Sequence, residues 1–229
     1  MGDIKTVISV DEVNEQAKAI AEPISKEVIS SLAKNDPYIL IEGLQAGYGK
    51  MPILHDFNLQ VSKGQSLCLI GPNGAGKSTI LHSIFGFTDI YSGKITINLG
   101  KEQKDITKLT PSEKLQVAGI AYILQDKSIF PNMTVEENLW MGGYLMNSSL
   151  EAKNSADKIF SKYNRLAARR NHKAGVLSGG ERRLLEISRA LVMEPEILLV
   201  DEPSIGLEPR FIDMVLKFLV TCNRRMGKP

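Results

Sequence analysis

The run Gly71, Pro72, Asn73, Gly74, Ala75, Gly76, Lys77, Ser78, Thr79 fits the pattern G-x-x-x-x-G-K-[ST]. Glycines suit it because several consecutive N–H groups must turn toward one anion, in backbone conformations a β-carbon obstructs. A helix starting at the lysine adds the positive end of its dipole. Lys77 is then placed to reach β- and γ-phosphates, and the Ser78 hydroxyl to ligate Mg²⁺. A pair of carboxylates, Asp201 and Glu202, follows the apolar run Ile197-Leu198-Leu199-Val200. Acids at the carboxyl end of such a run stand where ligands gather in open α/β sheets. Asp201 suits a Mg²⁺ ion held from its outer shell. Glu202 suits a base that orients and deprotonates the water attacking a γ-phosphate, a role worth about 10² to 10⁴ in rate. Leu177-Ser178-Gly179-Gly180-Glu181 is a third constellation. Ser178 and Glu181 alone make a capping box, but the two glycines are not needed for capping. They uncover N–H groups at a positive helix end, a second anion site.

These residues need elements to hold them. Ser66-Leu67-Cys68-Leu69-Ile70 reads as a strand entering the loop, and Ile80, Leu81, Ile84 and Phe85 give the helical spacing that leaves it. Tyr38 to Glu42 and Phe57 to Val61 read as strands. Lys94 to Asn98 alternates as a half-buried antiparallel strand should. The continuous apolar runs Ile120 to Leu124 and Ile197 to Val200 suit central strands of a parallel sheet covered on both faces. Between them Thr134 and Glu137 form a capping box opening a helix through Leu139, Trp140, Tyr144 and Leu145. Ser149 is the expected cap of a second helix carrying Ala152, Ala156, Ile159, Phe160 and Tyr163. The chain therefore divides into a helical or disordered extension (1–36), a core segment (37–125), a helical subdomain (126–176) and a second core segment (177–229).

A chain of 229 residues is long enough to bury roughly 70% of the surface it exposes unfolded. Cys68, within the apolar strand, and Cys222 show no metal or disulfide spacing and fit a reducing compartment as packed or incidental thiols. No apolar run is long enough to cross a bilayer, and the start lacks the basic-then-apolar order of a secretory signal, so a soluble, cytoplasmic protein is expected. A net charge of +2 with both signs dispersed gives no large basic field, and nucleic acid is not implied.

With these motifs in this order, the chain resembles the ATP-binding cassette (ABC) ATPases over roughly residues 38 to 229. Gly71 to Thr79 resembles Walker A, Gln125 the Q-loop glutamine, Leu177 to Glu181 the signature, Ile197 to Glu202 Walker B, and Ser204 to Glu208 the D-loop region. Tyr48 falls where that family stacks an aromatic ring on adenine. The resemblance implies an α/β P-loop NTPase core with a mostly parallel sheet, an antiparallel β subdomain and a helical insertion. It implies ATP and Mg²⁺ as cofactors, with Gln125 touching the metal or the attacking water. It implies a head-to-tail dimer, homo- or heteromeric, each ATP held between one subunit's Walker A and the other's Ser178 to Glu181. Further partners implied are integral-membrane permease subunits and, indirectly, a solute-binding protein, which would hold the chain on the inner face of the membrane.

Within the family, Asp105 to Pro111, Ile129-Phe130-Pro131, Thr134 to Leu139 and Asp201 to Leu207 resemble the ATPase subunits of branched-chain amino-acid importers. Leu177 to Arg183 is also similar to the lipopolysaccharide-export ATPase. One element departs from the pattern. The family's γ-phosphate histidine after the strand following Walker B has no counterpart, since His55, His82 and His172 all lie upstream. Impaired turnover, an ATP-gated binding module, is accordingly the alternative to a transport ATPase; His82 is expected to face the core. A soluble cassette protein of translation or repair is a third reading, disfavoured by the single phosphate loop and the short insertion.

Overall fold

The computed structural model describes residues 37–65, 67–99, 102–124 and 128–201. The extension 1–36, Gln125, Glu202, the segment Ser204 to Glu208 and Cys222 lie outside the described residues.

The described residues form two sheets. Strand β1 (Pro37–Tyr48) pairs antiparallel with β2 (Met51–Ser62) on one side and β3 (Asp89–Asn98) on the other, and β4 (Gln103–Asp105) adds beyond β3. The strands at 38–42 and 57–61 are thus parts of much longer elements. The alternation expected at Lys94 to Asn98 is not realised, because Ile95, Thr96 and Ile97 are all buried. Gln103 on β4 reaches over the second face and donates to the Thr96 hydroxyl at 3.3 Å, covering a residue that alternation would leave in water.

The second sheet is the parallel pair β5 (Ile120–Ile123) and β6 (Ile197–Val200), in register from Ile120↔Ile197 to Ile123↔Val200. Its apolar runs are continuous because each face meets a different core. Ile120, Ile197 and Leu199 join the cluster formed with the antiparallel sheet, whereas Ile123, Leu198 and Val200 pack on the helical one. The expected strand at 66–70 is a correction. Residues 67–70 form no ladder, Cys68 is exposed rather than packed, and Ile70 is 92% exposed. A strand needs a neighbour for its N–H and C=O groups, and among the described residues none pairs with this segment.

The helices begin where local chemistry dictates. Helix α1 (Lys77–Phe85) follows the glycine loop, and α2 (Pro111–Ala118) starts from a Thr110/Glu113 capping box with proline in its first turn. Helix α3 (Val135–Gly142) starts from the expected Thr134/Glu137 box but ends at Gly142, leaving Tyr144 largely in water. Helix α4 (Ser149–Lys162) is capped by Ser148 instead of Ser149, since the Ser148 hydroxyl accepts from the Glu151 N–H at 3.2 Å. Short α5 (Asn164–Ala167), a 3₁₀ turn at Ala174–Val176 and α6 (Gly179–Leu191) follow. Val135, Leu139, Ala156, Leu166, Leu185 and Ile187, all fully buried, bind α3 to α6 into one core.

Candidate functional site

The loop between residue 67 and α1 turns on two left-handed glycines, Gly74 (φ 82°) and Gly76 (φ 83°). A Cβ at Gly76 would also meet Leu54 Cδ2 at 3.2 Å, so a larger residue there is strained in its backbone and must also push Leu54 aside. The Ala75 N–H bonds back to the Pro72 carbonyl at 3.2 Å, tightening the turn. Gly76 caps α1 with no side-chain hydrogen bond, and helix geometry gives the N–H groups of Lys77, Ser78 and Thr79 no intrahelical acceptor. The Lys77 ammonium donates to the carbonyls of Gly71 and Pro72, both at 2.8 Å, and so lies across the mouth of the loop. Residues 71–75 are exposed, while Thr79 is buried and offers the site its N–H.

The structure brings Asp201 to this loop. It leaves the end of β6, is 7% exposed, and accepts from the Ser78 hydroxyl at 3.2 Å, joining positions 123 residues apart. Its other oxygen accepts from the Tyr122 hydroxyl at 3.1 Å. Burial, then the Asp201 charge and this hydrogen bond, push the Tyr122 phenol well above its ordinary value and keep it a donor. Tyr122 is a residue sequence reasoning missed. Its signal was a polar tip in the otherwise apolar run 120–124, on the strand paired with β6.

Tyr48 ends β1 and is 42% exposed. Its hydroxyl is 2.6 Å from His82 Nδ1, on the helix that carries Lys77 and Ser78. His82 is half-buried, lying at the edge of an aromatic group with Phe87 and Tyr122 instead of in the core proper.

Ser178 and Glu181 form the capping box of α6. The Ser178 N–H and hydroxyl both donate to the Glu181 carboxylate at 2.9 Å. The first of these bonds holds the Glu181 carboxyl below its ordinary value, helped by Arg169 at 3.5 Å. Glu181 therefore shapes the turn, and exposed Gly179, with nothing near its would-be Cβ, presents open backbone. No hydrogen bond or ion pair among the described residues joins 178–181 to the loop at 71–79. Further along α6, buried Arg183 donates to the Leu124 carbonyl at 2.8 Å and to Glu186 at 2.9 Å, fixing the strand end just before Gln125.

A phosphate loop answered by an acid at the end of a parallel strand defines the class as P-loop nucleotide-binding proteins. Comparison with known proteins narrows this. The ABC transporter family model matches residues 54–205. A probable branched-chain amino acid transport ATP-binding protein LivF of Archaeoglobus fulgidus is 40% identical, covering 75% of this chain and 70% of its own. The high-affinity branched-chain amino acid transport ATP-binding protein BraG of Pseudomonas aeruginosa is 38% identical, covering 77% and 73%. The crystal structure of a nucleotide-free ATP-binding cassette from an ABC transporter superposes with a TM-score of 0.72 at 28% identity, over 83% of this chain and 78% of that one. The chain belongs to the ABC transporter family, as an ATP-binding subunit whose ATP hydrolysis is coupled to transport.

Proposed function

We propose that the chain binds Mg-ATP between residues 71–79 and the acids at 201–202, and that its hydrolysis drives import of branched-chain amino acids. The observation that carries this is the contact of Ser78 with Asp201, which joins the two halves of a phosphate site from distant parts of the sequence. The N–H groups of Gly74 and of 76–79 cradle the phosphates, and Lys77 exchanges the Gly71 and Pro72 carbonyls for phosphate oxygens. A hydroxyl and a carboxylate side by side are hard oxygen donors that fit Mg²⁺, and Ser78, Asp201 and Gln125 would hold it. When bound, Mg²⁺ neutralises charge on the β- and γ-oxygens. Tyr48 stacks on adenine and Glu202 deprotonates the attacking water. Gly179, Gly180 and the Ser178/Glu181 turn meet the nucleotide of a second ATP-binding subunit in a head-to-tail dimer.

The names of the two relatives support the importer assignment. Among the described residues no helix is long and apolar enough to cross a membrane. Permease subunits are the membrane partners that this reading calls for. On this reading the protein works at the cytoplasmic face of the membrane, a solute-binding protein acting from the opposite side. Two measurements test it. Lys77→Ala removes charge-assisted hydrogen bonds worth about 1.5 to 3 kcal/mol, so ATP affinity falls about tenfold to a hundredfold; unchanged affinity contradicts the site. Co-purification from membranes should bring down a permease whose reconstituted uptake is specific for branched-chain amino acids; uptake of an unrelated solute overturns the substrate assignment.

A further inference from the structure

The ring of Tyr48 lies exposed at the end of β1, where a tyrosine would ordinarily sample several rotamers. Here its hydroxyl is tied to His82 Nδ1 at 2.6 Å, with the two rings edge-to-face at 6.2 Å. His82 is itself fixed. It rides on α1, and its ring is edge-to-face with Phe87 at 5.8 Å and tilted against Tyr122 at 5.6 Å. Tyr122 in turn donates to Asp201, which accepts from Ser78. A continuous set of contacts thus runs from the Tyr48 ring to the metal-side acid, and among the described residues His82 is its one link to the Tyr48 hydroxyl by hydrogen bond.

We infer that His82 is a positioning residue for nucleotide recognition: it holds the Tyr48 ring in place for the base and so sets the base-dependent share of ATP affinity. The inference rests on the reading of Tyr48 as the adenine platform. Its physical basis is preorganisation. A ring fixed before binding loses less rotamer freedom when the base stacks on it, and that saving appears as affinity. The effect belongs to the base alone, because the phosphates are held by the loop amides and Lys77, none of which touches His82 through a hydrogen bond.

The test compares binding of Mg-ATP with binding of Mg-tripolyphosphate, which has the phosphates and no base, by calorimetry on the purified full chain. Losing one hydrogen bond of ordinary strength predicts that His82→Leu binds ATP about threefold to tenfold more weakly with tripolyphosphate affinity unchanged. His82→Asn, whose side-chain oxygen falls near the Nδ1 position, restores most of the loss. Tyr48→Phe reproduces the His82→Leu defect, and the double variant is no worse than either single one. Three results overturn the inference: wild-type ATP affinity in His82→Leu, equal weakening of both ligands, or additive losses in the double variant. Tyr48→Ala separates the two levels of the argument. If it loses ATP affinity while His82→Leu does not, only the role of His82 fails. If Tyr48→Ala binds ATP like the wild type, the adenine platform fails, and the inference with it.

Discussion

Lys114 on α2 is fully buried, and its ammonium donates to the Ser83 carbonyl at 3.3 Å, at the C-terminal end of the helix that begins with Lys77 and Ser78. Burial lowers its pKa to about 8 from an ordinary 10.5. The unfolded chain keeps the proton up to that ordinary value. Between the two values the unfolded state binds more protons than the native one, so stability rises with pH across this window. Below about pH 8 the penalty of burying the charge is fully present, and it is relieved as pH climbs toward 10.5. At 1.36 kcal/mol per pH unit the whole window is worth about 3 kcal/mol, and the step from about pH 8 to pH 9.5 about 2 kcal/mol. Lys114→Met has no such group and provides the baseline. Urea unfolding of both proteins at about pH 7.5, 8.5 and 9.5 should show the wild type gaining about 2 kcal/mol on the variant across the series. A difference that stays flat with pH refutes the argument and means the ammonium is solvated or paired in the native state.

Other consequences follow from single contacts. Arg183→Leu leaves Glu186 buried without its counter-charge and should cost about 3 to 5 kcal/mol in denaturant unfolding, whereas Arg183→Leu with Glu186→Leu should recover most of it. Glu202→Gln should keep ATP affinity, slow phosphate release by about a hundredfold or more, and prolong an ATP-bound dimer in gel filtration. Equal turnover would remove Glu202 from the mechanism. Tyr122→Phe strips a donor from Asp201, a charged acceptor, and should lower stability by about 1.5 to 3 kcal/mol in the same unfolding assay.

What the sequence disclosed was what short-range chemistry determines. The capping boxes at Thr134 and Ser178 form as read, because three residues decide each of them. The misplaced cap at Ser149 shows the limit of that rule, since Ser148 beside it carries the same hydroxyl. The placement of Asp201 against Ser78 was legible from afar, because strand ends in α/β sheets converge on a loop of this kind. The strand at 66–70 was not. Its apolar residues specify extended backbone, but a ladder also needs a neighbour, and Ile70 lies in water instead. The roles of Tyr122, His82 and Arg183 were not legible for a related reason. Each acquires its role from a partner at least 34 residues away in sequence, which no local spacing encodes.

The central claim is that the backbone from Gly71 to Thr79 holds a triphosphate beside Ser78 and Asp201. A crystal structure with Mg²⁺ and a non-hydrolysable ATP analogue tests it most directly. The account predicts β- and γ-phosphate oxygens within hydrogen-bonding distance of the N–H groups of Gly74 and 76–79 and of Lys77 Nζ, with the metal on Ser78 Oγ. A triphosphate bound elsewhere, with Ser78 and Asp201 contacting only each other, would contradict it.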